Sequence, residues 1–150
     1  MTGPVGAAAR RHFTAVGDRV NLASRLEGAN KAYGTWSLMT DAVTRVAARE
    51  FLCREIDLVA VKGTAHPVRI HELLAPKAKP AERASELAKV FAAGLAAYRA
   101  RRWDQAAKAF TLLVEKYKDT PSRVFLSRIR TFAARPPAKD WNGASALTVK

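Results

Sequence analysis

Apolar and polar positions recur with different periods along the chain, and each period predicts a different element. The run Arg11–Val16 alternates and carries the β-branched Thr14, which predicts a short strand. Gly17 then permits a tight turn. The apolar positions that follow recur at helical spacing, at Leu22, Leu26, Ala29 and Tyr33. Asp18 can cap this helix and Gly34 can end it, so the sequence predicts a strand, a tight turn and a helix.

Further strands and a helix are predicted before the first proline-rich stretch. The strands are Thr35–Met39, Arg54–Val61 and Val68–Leu74, and the helix runs from Thr40 to about Arg49 with an acidic residue in its first turn. Strands and helices are thus mixed in the first part of the chain, which predicts an α/β (α+β) fold class.

A proline-bounded segment, PKAKP, separates this part from the rest. Pro76 and Pro80 cannot continue a sheet, so residues 76–80 are predicted to link a first unit, residues 1–75, to a second unit, residues 81–150. The second unit is predicted to be helical with a poorly ordered, extended tail, the ranges being Ala81–Ala100, Asp104–Tyr117, Ser122–Phe132 and, for the tail, Arg135–Trp141.

The first two of these helices carry small and large residues at the spacing of a tetratricopeptide helix pair. The positions are Gly94, Tyr98, Trp103, Ala106 and Phe110. One such unit cannot bury its own apolar face. We therefore interpret residues 81–150 as a small all-α helical-repeat segment with an extended tail.

Composition and charge argue against several classes of protein. The chain has 150 residues, one cysteine and a formal net charge of +13. This charge is spread along the chain, and only Arg99–Arg102 beside Trp103 forms a basic cluster with an aromatic residue, which favours a solvated helix face over a nucleic-acid surface. The single Cys53 cannot form an internal disulfide, which favours the cytoplasm. No stretch approaches the roughly 20 apolar residues that span a bilayer.

The longest motif, FTAVGDRVNLASRLEGANKAYG, runs from Phe13 to Gly34. It closely resembles the signature of class III adenylate and guanylate cyclases, in which a strand ends on an aromatic, a base-reading residue and V-G, and a helix opens with V-N-x-A-x-R-L-E. The resemblance covers Gly3 to about Ala75 and implies part of a ferredoxin-like cyclase domain. The helical segment resembles the tail of many bacterial members. Further segments match in order and spacing, namely ARR at Ala9–Arg11, VKG at Val61–Gly63 and PVRIHELL at Pro67–Leu74.

Four residues of this part are candidates for a nucleotide site. Asn21 and Arg25 stand four apart on the predicted helix, so an amide and a guanidinium share one face. The resemblance implies that Asn21 orients the ribose and that Arg25 stabilises charge on the α-phosphate as the 3′-oxygen attacks. It also implies that Thr14 reads the purine, favouring ATP over GTP, and that Lys62 holds the terminal phosphates. Outside the motif, Arg25 would be an ordinary surface residue and Thr14 a strand threonine.

The resemblance also implies residues that this sequence does not show. Class III cyclases hold two divalent metals, Mg²⁺ or Mn²⁺, with two aspartates upstream of the signature, and the chain begins after that point. We therefore predict no metal ligand and no cofactor in this chain. The family forms head-to-tail dimers in which one subunit supplies the aspartates and the other supplies the Thr, Asn, Arg and Lys set. The expected partners are ATP and, in a homo- or heterodimer, a cyclase domain that carries the aspartates.

Three functions stay open on the sequence alone. The first is an adenylate cyclase fragment that converts ATP to cyclic AMP and pyrophosphate only beside a metal-bearing half, the chain alone being inactive; a truncated reading frame would give this pattern. The second is an inactive regulatory or pseudo-cyclase subunit that acts by dimerisation. The third is a basic nucleic-acid-binding protein, whose binding would fall steeply with salt.

Overall fold

The structure, a computed structural model, describes residues 2–5, 12–15, 18–60 and 66–147, with side chains from Val20 onwards. Helices and strands are mixed, which confirms the predicted α/β class. In chain order the elements are β1 (Thr2–Val5), β2 (His12–Ala15), α1 (Asp18–Tyr33), β3 (Leu38–Thr40), α2 (Asp41–Ala47), β4 (Phe51–Ala60), β5 (Val68–Pro76), α3 (Glu82–Arg99), α4 (Trp103–Tyr117), α5 (Thr120–Ala134) and β6 (Ser145–Ala146).

The strands form two sheets. β1 and β2 pair antiparallel, and the larger sheet has the strand order β3, β5, β4, β6. Its centre is the antiparallel pair β4 and β5, with β3 antiparallel on one edge and β6 parallel on the other. The register of β4 against β5 shifts between Glu55 and Asp57, as at a β-bulge. Because of the bulge, the neighbouring side chains of Ile56 and Asp57 are both buried, whereas a regular strand turns neighbours to opposite faces.

The helix α1 forms where the sequence predicts it and ends at the predicted glycine. Its apolar stripe is buried at Leu26, Ala29 and Tyr33, in the core shared with the sheet. Gly34 has a φ of 66°, the left-handed conformation that commonly ends helices and that glycine adopts without strain. A Cβ atom on Gly34 would lie 2.5 Å from Cγ2 of Thr120, so the end of α1 touches the start of α5.

The helices α3, α4 and α5 pack around a group of aromatic rings. The rings of Phe91, Phe110 and Phe125 have centroids 4.9 to 5.7 Å apart, in edge-on and stacked arrangements. Gly94 allows α3 to approach α4, because a Cβ atom there would lie 3.0 Å from the Phe110 ring. Of the five positions predicted to pack this helix pair, four are buried and Trp103 is half-buried. The tetratricopeptide assignment itself stays a prediction.

The helices and the large sheet share one core. A continuous apolar cluster includes Ile56, Val59 and Ile70 of the sheet together with Phe91 and Leu95 of α3. The helical segment therefore covers the sheet, and the sheet covers the apolar face that a lone helix pair leaves open. The predicted division into two units at residues 76–80 stays a prediction. No helix in the described ranges is both long and apolar enough to cross a membrane.

Three predicted strands have different bounds in the structure. β4, expected at Arg54–Val61, begins three residues earlier, at Phe51. The strand expected at Thr35–Met39 is shorter and begins later, at Leu38. Thr35 instead closes α1, because its N–H donates to the carbonyl oxygen of Asn30 at 3.0 Å and its hydroxyl donates to Oδ1 of the same residue at 2.8 Å. β5 extends one residue into the predicted linker, since Pro76 pairs with Phe51.

The prediction of a poorly ordered tail is wrong. The ring of Trp141 lies 5.4 Å from that of Tyr98 and 5.3 Å from that of Phe132, centroid to centroid, and its Nε1 donates to the carbonyl oxygen of Ala144 at 3.1 Å. The chain then adds β6 to the sheet beside β4. The prolines at 136 and 137 do prevent a helix, but the contacts of the half-buried Trp141 ring hold the segment on the helices.

Candidate functional site

The structure places two of the four predicted site residues on one element. Asn21 and Arg25 both lie on α1, where Asn21 is exposed and Arg25 is half-buried. Thr14 lies in β2, where its backbone pairs with Gly3, and its side chain is outside the described part. Lys62 lies outside the described residues altogether. Asn21 and Arg25 lie on one helix, as their spacing predicts, and the roles of all four residues stay predictions.

The helix α1 presents three different sides, since an α-helix turns about 100° per residue. The core side carries the buried Leu26, Ala29 and Tyr33. A second side carries Asn21 and Arg25. The third side carries Ala23, Glu27 and Asn30, which line an open groove together with Leu22 and Leu26 at the edge of the core side. The predicted pair and the groove are therefore separate features of the same helix.

The groove beside α1 was not predicted from the sequence. Its volume is about 860 Å³, and its walls come from α1, β3, α2 and the start of β5. Trp36 belongs to this lining and is 97% exposed, with the 52% exposed Val43 nearby. A tryptophan directly after the residues that end α1 was the available sequence signal. We assign the groove no ligand.

A cluster of three polar residues lies at the C-terminal end of α1. We call Tyr33, Asp57 and Arg128 the Asp57 cluster. The Tyr33 hydroxyl donates to Oδ2 of Asp57 at 2.5 Å, and Nη1 of Arg128 donates to the same oxygen at 2.6 Å. Nη2 of Arg128 also donates to the Tyr33 oxygen at 2.9 Å. One residue each from α1, β4 and α5 thus meets at a fully buried carboxylate.

The surroundings hold two members of the Asp57 cluster, Tyr33 and Arg128, each in one protonation state. Burial, and then the negative charge of Asp57, raise the pKa of Tyr33 well above its ordinary value. Burial lowers the pKa of Arg128, but the charge of Asp57 and the contact with Tyr33 outweigh it and raise that pKa overall. The tyrosine therefore stays neutral and the arginine stays charged at physiological pH.

A buried arginine, Arg54, joins β4 to the start of α5. Arg54 donates from Nε to Oε2 of Glu72 at 2.8 Å and from Nη2 to Oδ1 of Asp119 at 2.7 Å. Its guanidinium also lies over the ring of Phe91, 4.7 Å from the centroid. The other oxygen of Asp119 caps α5 by accepting from the N–H of Ser122 at 3.1 Å. Burial raises the pKa of Glu72, and the opposing influence of Arg54 is the smaller one.

A further ion pair joins β4 to the end of α3. Nη2 of Arg99, at the end of α3, donates to Oε1 of Glu55 at 2.5 Å. Arg54, Glu55 and Asp57 of one short stretch of β4 therefore each pair with a different point of the helical segment. The sequence analysis missed this set, although charged residues inside the otherwise apolar strand FLCREIDLVA were a visible signal.

The carboxylates of the sheet are engaged in internal contacts. Asp57 and Glu72 pair with arginines as described above, and Asp41 lies 2.6 Å from Nε2 of His71. Within the described ranges no group of three or more histidine, cysteine or acidic side chains is arranged to hold a metal ion. The divalent metals implied by the cyclase resemblance therefore do not fit the residues that this structure describes.

Curated proteins that match the chain share one activity in their names. Adenylate cyclase 1 of Rhizobium meliloti (strain 1021) is 40% identical over 74 residues, which is 49% of this chain and 11% of that protein. Adenylate cyclase of Anabaena cylindrica is 42% identical over 78 residues, 50% of this chain and 16% of that protein. The chain is similar to adenylate cyclases. A third relative, the terminal-differentiation specific adenylate cyclase of Dictyostelium discoideum, is 30% identical over 133 residues, 85% of this chain and 6% of that protein.

The matches cover only a small part of each relative, which limits what they show about this chain. The chain spans between 6% and 16% of the length of these relatives, so the similarity supports a relation to cyclases over a small part of each. The 85% match must include parts of both the sheet and the helices, since neither alone is that long. No protein-family model and no solved structure matches the chain significantly.

Proposed function

We propose that this chain is the nucleotide-binding part of a class III adenylate cyclase domain, which acts on ATP only beside a second cyclase domain. The observation that carries the proposal is the similarity to named adenylate cyclases, in a chain whose helix α1 sets the exposed Asn21 and the half-buried Arg25 together on one side. ATP as substrate follows from the names of these relatives and from Thr14, the proposed purine-reading residue.

The proposed chemistry is an internal phosphoryl transfer. The 3′-oxygen of the ribose attacks the α-phosphorus, its proton is lost to a base or to water, and the bond to the bridging oxygen of pyrophosphate breaks. Arg25 would meet the negative charge that grows on the α-phosphate oxygens, because its planar fork of donors matches phosphate geometry. Asn21 would hold the ribose so that its 3′-oxygen faces the phosphorus.

The remaining contacts would complete nucleotide binding. Thr14 would accept a hydrogen bond from the amino group of adenine. Lys62 would bind the terminal phosphates with a compact, mobile charge suited to a leaving group. The second domain of the pair would carry the metal-binding aspartates, since the described part of this chain offers no such cluster. We place the pair in the cytoplasm.

Coexpression with a disabled relative tests this proposal. The partner is a related cyclase with intact aspartates whose residues at the Asn21 and Arg25 positions are changed to alanine, so that it is inactive alone. We expect cyclic AMP from the mixed enzyme, and none from this chain alone with ATP and Mg²⁺ or Mn²⁺. Mixed dimers that assemble and stay inactive would rule out the proposal, as would turnover by this chain alone.

A further inference from the structure

The C-terminal end of α1 is held by α5 at two points. Gly34, just after α1, lies against Thr120 in the first turn of α5, close enough that a Cβ atom would sit 2.5 Å from its Cγ2. About two turns further along α5, Arg128 donates to the Tyr33 hydroxyl at 2.9 Å and to Asp57 at 2.6 Å. The segment after residue 80 therefore contacts the last turn of the helix that carries the proposed site residues.

The bonds in the Asp57 cluster are of a kind that fixes orientation. Oδ2 of Asp57 accepts from both Tyr33 and Arg128, and Oδ1 accepts from the N–H of Leu58 at 2.7 Å. Asp57 is fully buried and Tyr33 is 2% exposed, so water has little access to the carboxylate and to the Tyr33 hydroxyl. Charge-assisted hydrogen bonds in a buried site are short and strong, and they leave the partners little freedom.

Tyr33 and the site residues belong to one rigid element. Tyr33 stands eight residues beyond Arg25 on α1, a separation of about 12 Å along the helix axis. A change at the anchored end tilts or rotates the whole helix, because its backbone hydrogen bonds keep it straight over two turns. The position of the Tyr33 ring therefore sets where the Arg25 guanidinium stands.

We propose that Arg128 is a positioning residue, which fixes the orientation of α1 through Asp57 and Tyr33 and so couples the C-terminal helical segment to the placement of Asn21 and Arg25. The consequence for turnover rests on the function proposed above. The anchoring of α1 does not rest on the proposed function, and it is tested separately on this chain without a partner.

The first test is Tyr33→Phe in the full 150-residue chain. This change keeps the buried ring and leaves Asp57 paired with Arg128, so it removes only the link to α1. We expect amide hydrogen exchange in the last turns of α1 to become at least about tenfold faster, because the lost hydroxyl bonds to two charged partners, Asp57 and Arg128. Exchange in β4 and α5 should stay unchanged.

The matched control is Tyr117→Phe. Tyr117 also donates a hydroxyl hydrogen bond to a carboxylate, that of Glu86, but it lies at the end of α4, where it is half-buried and does not contact the Asp57 cluster. In the Tyr117→Phe chain, amide hydrogen exchange in α1 should equal that of the unchanged chain. Equal α1 exchange in all three proteins would overturn the proposal, and so would an equal acceleration throughout the chain, which marks a general loss of stability.

A second variant tests Arg128 directly. Arg128→Lys keeps the charge beside Asp57, but one ammonium cannot replace a fork that reaches Asp57 and the Tyr33 hydroxyl together. It should accelerate α1 exchange less than Tyr33→Phe does, because the Tyr33 hydroxyl still donates to Asp57. The double variant should add little to Tyr33→Phe, because that change already removes the bond between Arg128 and the Tyr33 hydroxyl. Full additivity of the two effects would mean that Arg128 does not act through Tyr33.

Turnover of the mixed enzyme gives the readout that a purely structural role would not move. With Tyr33→Phe in this chain, turnover should fall about 10- to 100-fold, as for a small misplacement of catalytic groups, with little change in the Michaelis constant. Unchanged turnover with accelerated α1 exchange would overturn the coupling to the site. If the unchanged mixed enzyme makes no cyclic AMP, the proposed function fails, and the exchange data still decide whether Arg128 anchors α1.

Discussion

Arg25 and Lys62 are proposed to act on different phosphates and at different stages of the reaction. Arg25 would meet charge that develops only in the transition state, whereas Lys62 would bind phosphates already charged in the bound substrate. In the mixed enzyme, Arg25→Ala should therefore lower turnover by ~10² to 10³ with a smaller effect on ATP binding. Lys62→Ala should mainly raise the Michaelis constant. Steady-state kinetics of both variants measures this difference.

The conservative change at the same position provides the control. Arg25→Lys keeps the charge without the planar fork, so it should recover only part of the turnover lost in Arg25→Ala. Turnover that is the same with arginine, lysine or alanine at position 25 would make Arg25 a solvated helix residue.

The buried tyrosines predict how stability depends on alkaline pH. Burial, and then the charge of Asp57, raise the pKa of Tyr33, and burial raises the pKa of Tyr98 to about 12. Above the ordinary value of 10.0 the unfolded chain loses protons that the folded chain keeps. The contribution of the two neutral tyrosines to the unfolding free energy is thus complete below that pH, and it is lost as the pH rises through their pKa values in the folded chain.

Urea unfolding between about pH 9 and pH 11 measures this effect. The unfolding free energy of the unchanged chain should fall with rising pH, and Tyr33→Phe should fall less steeply because one of the responsible groups is gone. Parallel pH curves for the two proteins would show that Tyr33 is not held neutral by its surroundings.

At the scale of elements, α1 is the part that the sequence predicts best. Its stripe of Leu26, Ala29 and Tyr33 and its end at Gly34 follow from local spacing and from the conformational freedom of glycine. The shared face of Asn21 and Arg25 follows from the same period. A helix of this kind needs no information from distant parts of the chain.

The strand β4 has features that could not be predicted from the local sequence pattern. Its bulge makes both Ile56 and Asp57 buried, which breaks the alternation on which a strand prediction depends. The partners of its charged residues lie far along the chain, with Asp119 65 residues after Arg54 and Arg128 71 residues after Asp57. Such pairs depend on how the helices dock, and the same holds for the packing of the tail.

Arg54 provides the test at this scale. Arg54→Met keeps much of the apolar contact with Phe91 but leaves Glu72 and Asp119 without their cation in a site where their side chains are 13% and 5% exposed. The change should lower the unfolding free energy by about 3 to 5 kcal/mol, as is typical when one partner of a buried ion pair is removed. Urea denaturation of the purified chain measures it.

The control for this change is Arg69→Met on the neighbouring strand β5. Arg69 pairs with Glu55 at 3.5 Å, but its side chain is 54% exposed, so the loss should stay below about 1 kcal/mol. Similar losses for the two variants would show that burial of the Arg54 pairs does not matter for stability.

At the scale of the whole molecule, many contacts join the helical segment to the sheet. They share a core, and ion pairs from Arg54, Glu55 and Asp57 join them. The match to the Dictyostelium discoideum cyclase extends over 85% of the chain and so includes parts of both. We infer that the segment after residue 80 contributes to the structure on which the proposed site depends.

The central claim is that this chain completes a nucleotide site which another cyclase domain cannot form alone. The most direct measurement is cyclic AMP formation when increasing amounts of the purified chain are added to a fixed amount of the partner disabled at its own Asn and Arg positions. Activity should rise and then saturate as mixed dimers form, while the Arg25→Ala chain should bind the partner and give about 10² to 10³ less product. Assembled mixed dimers that form no cyclic AMP at any ratio would contradict the account.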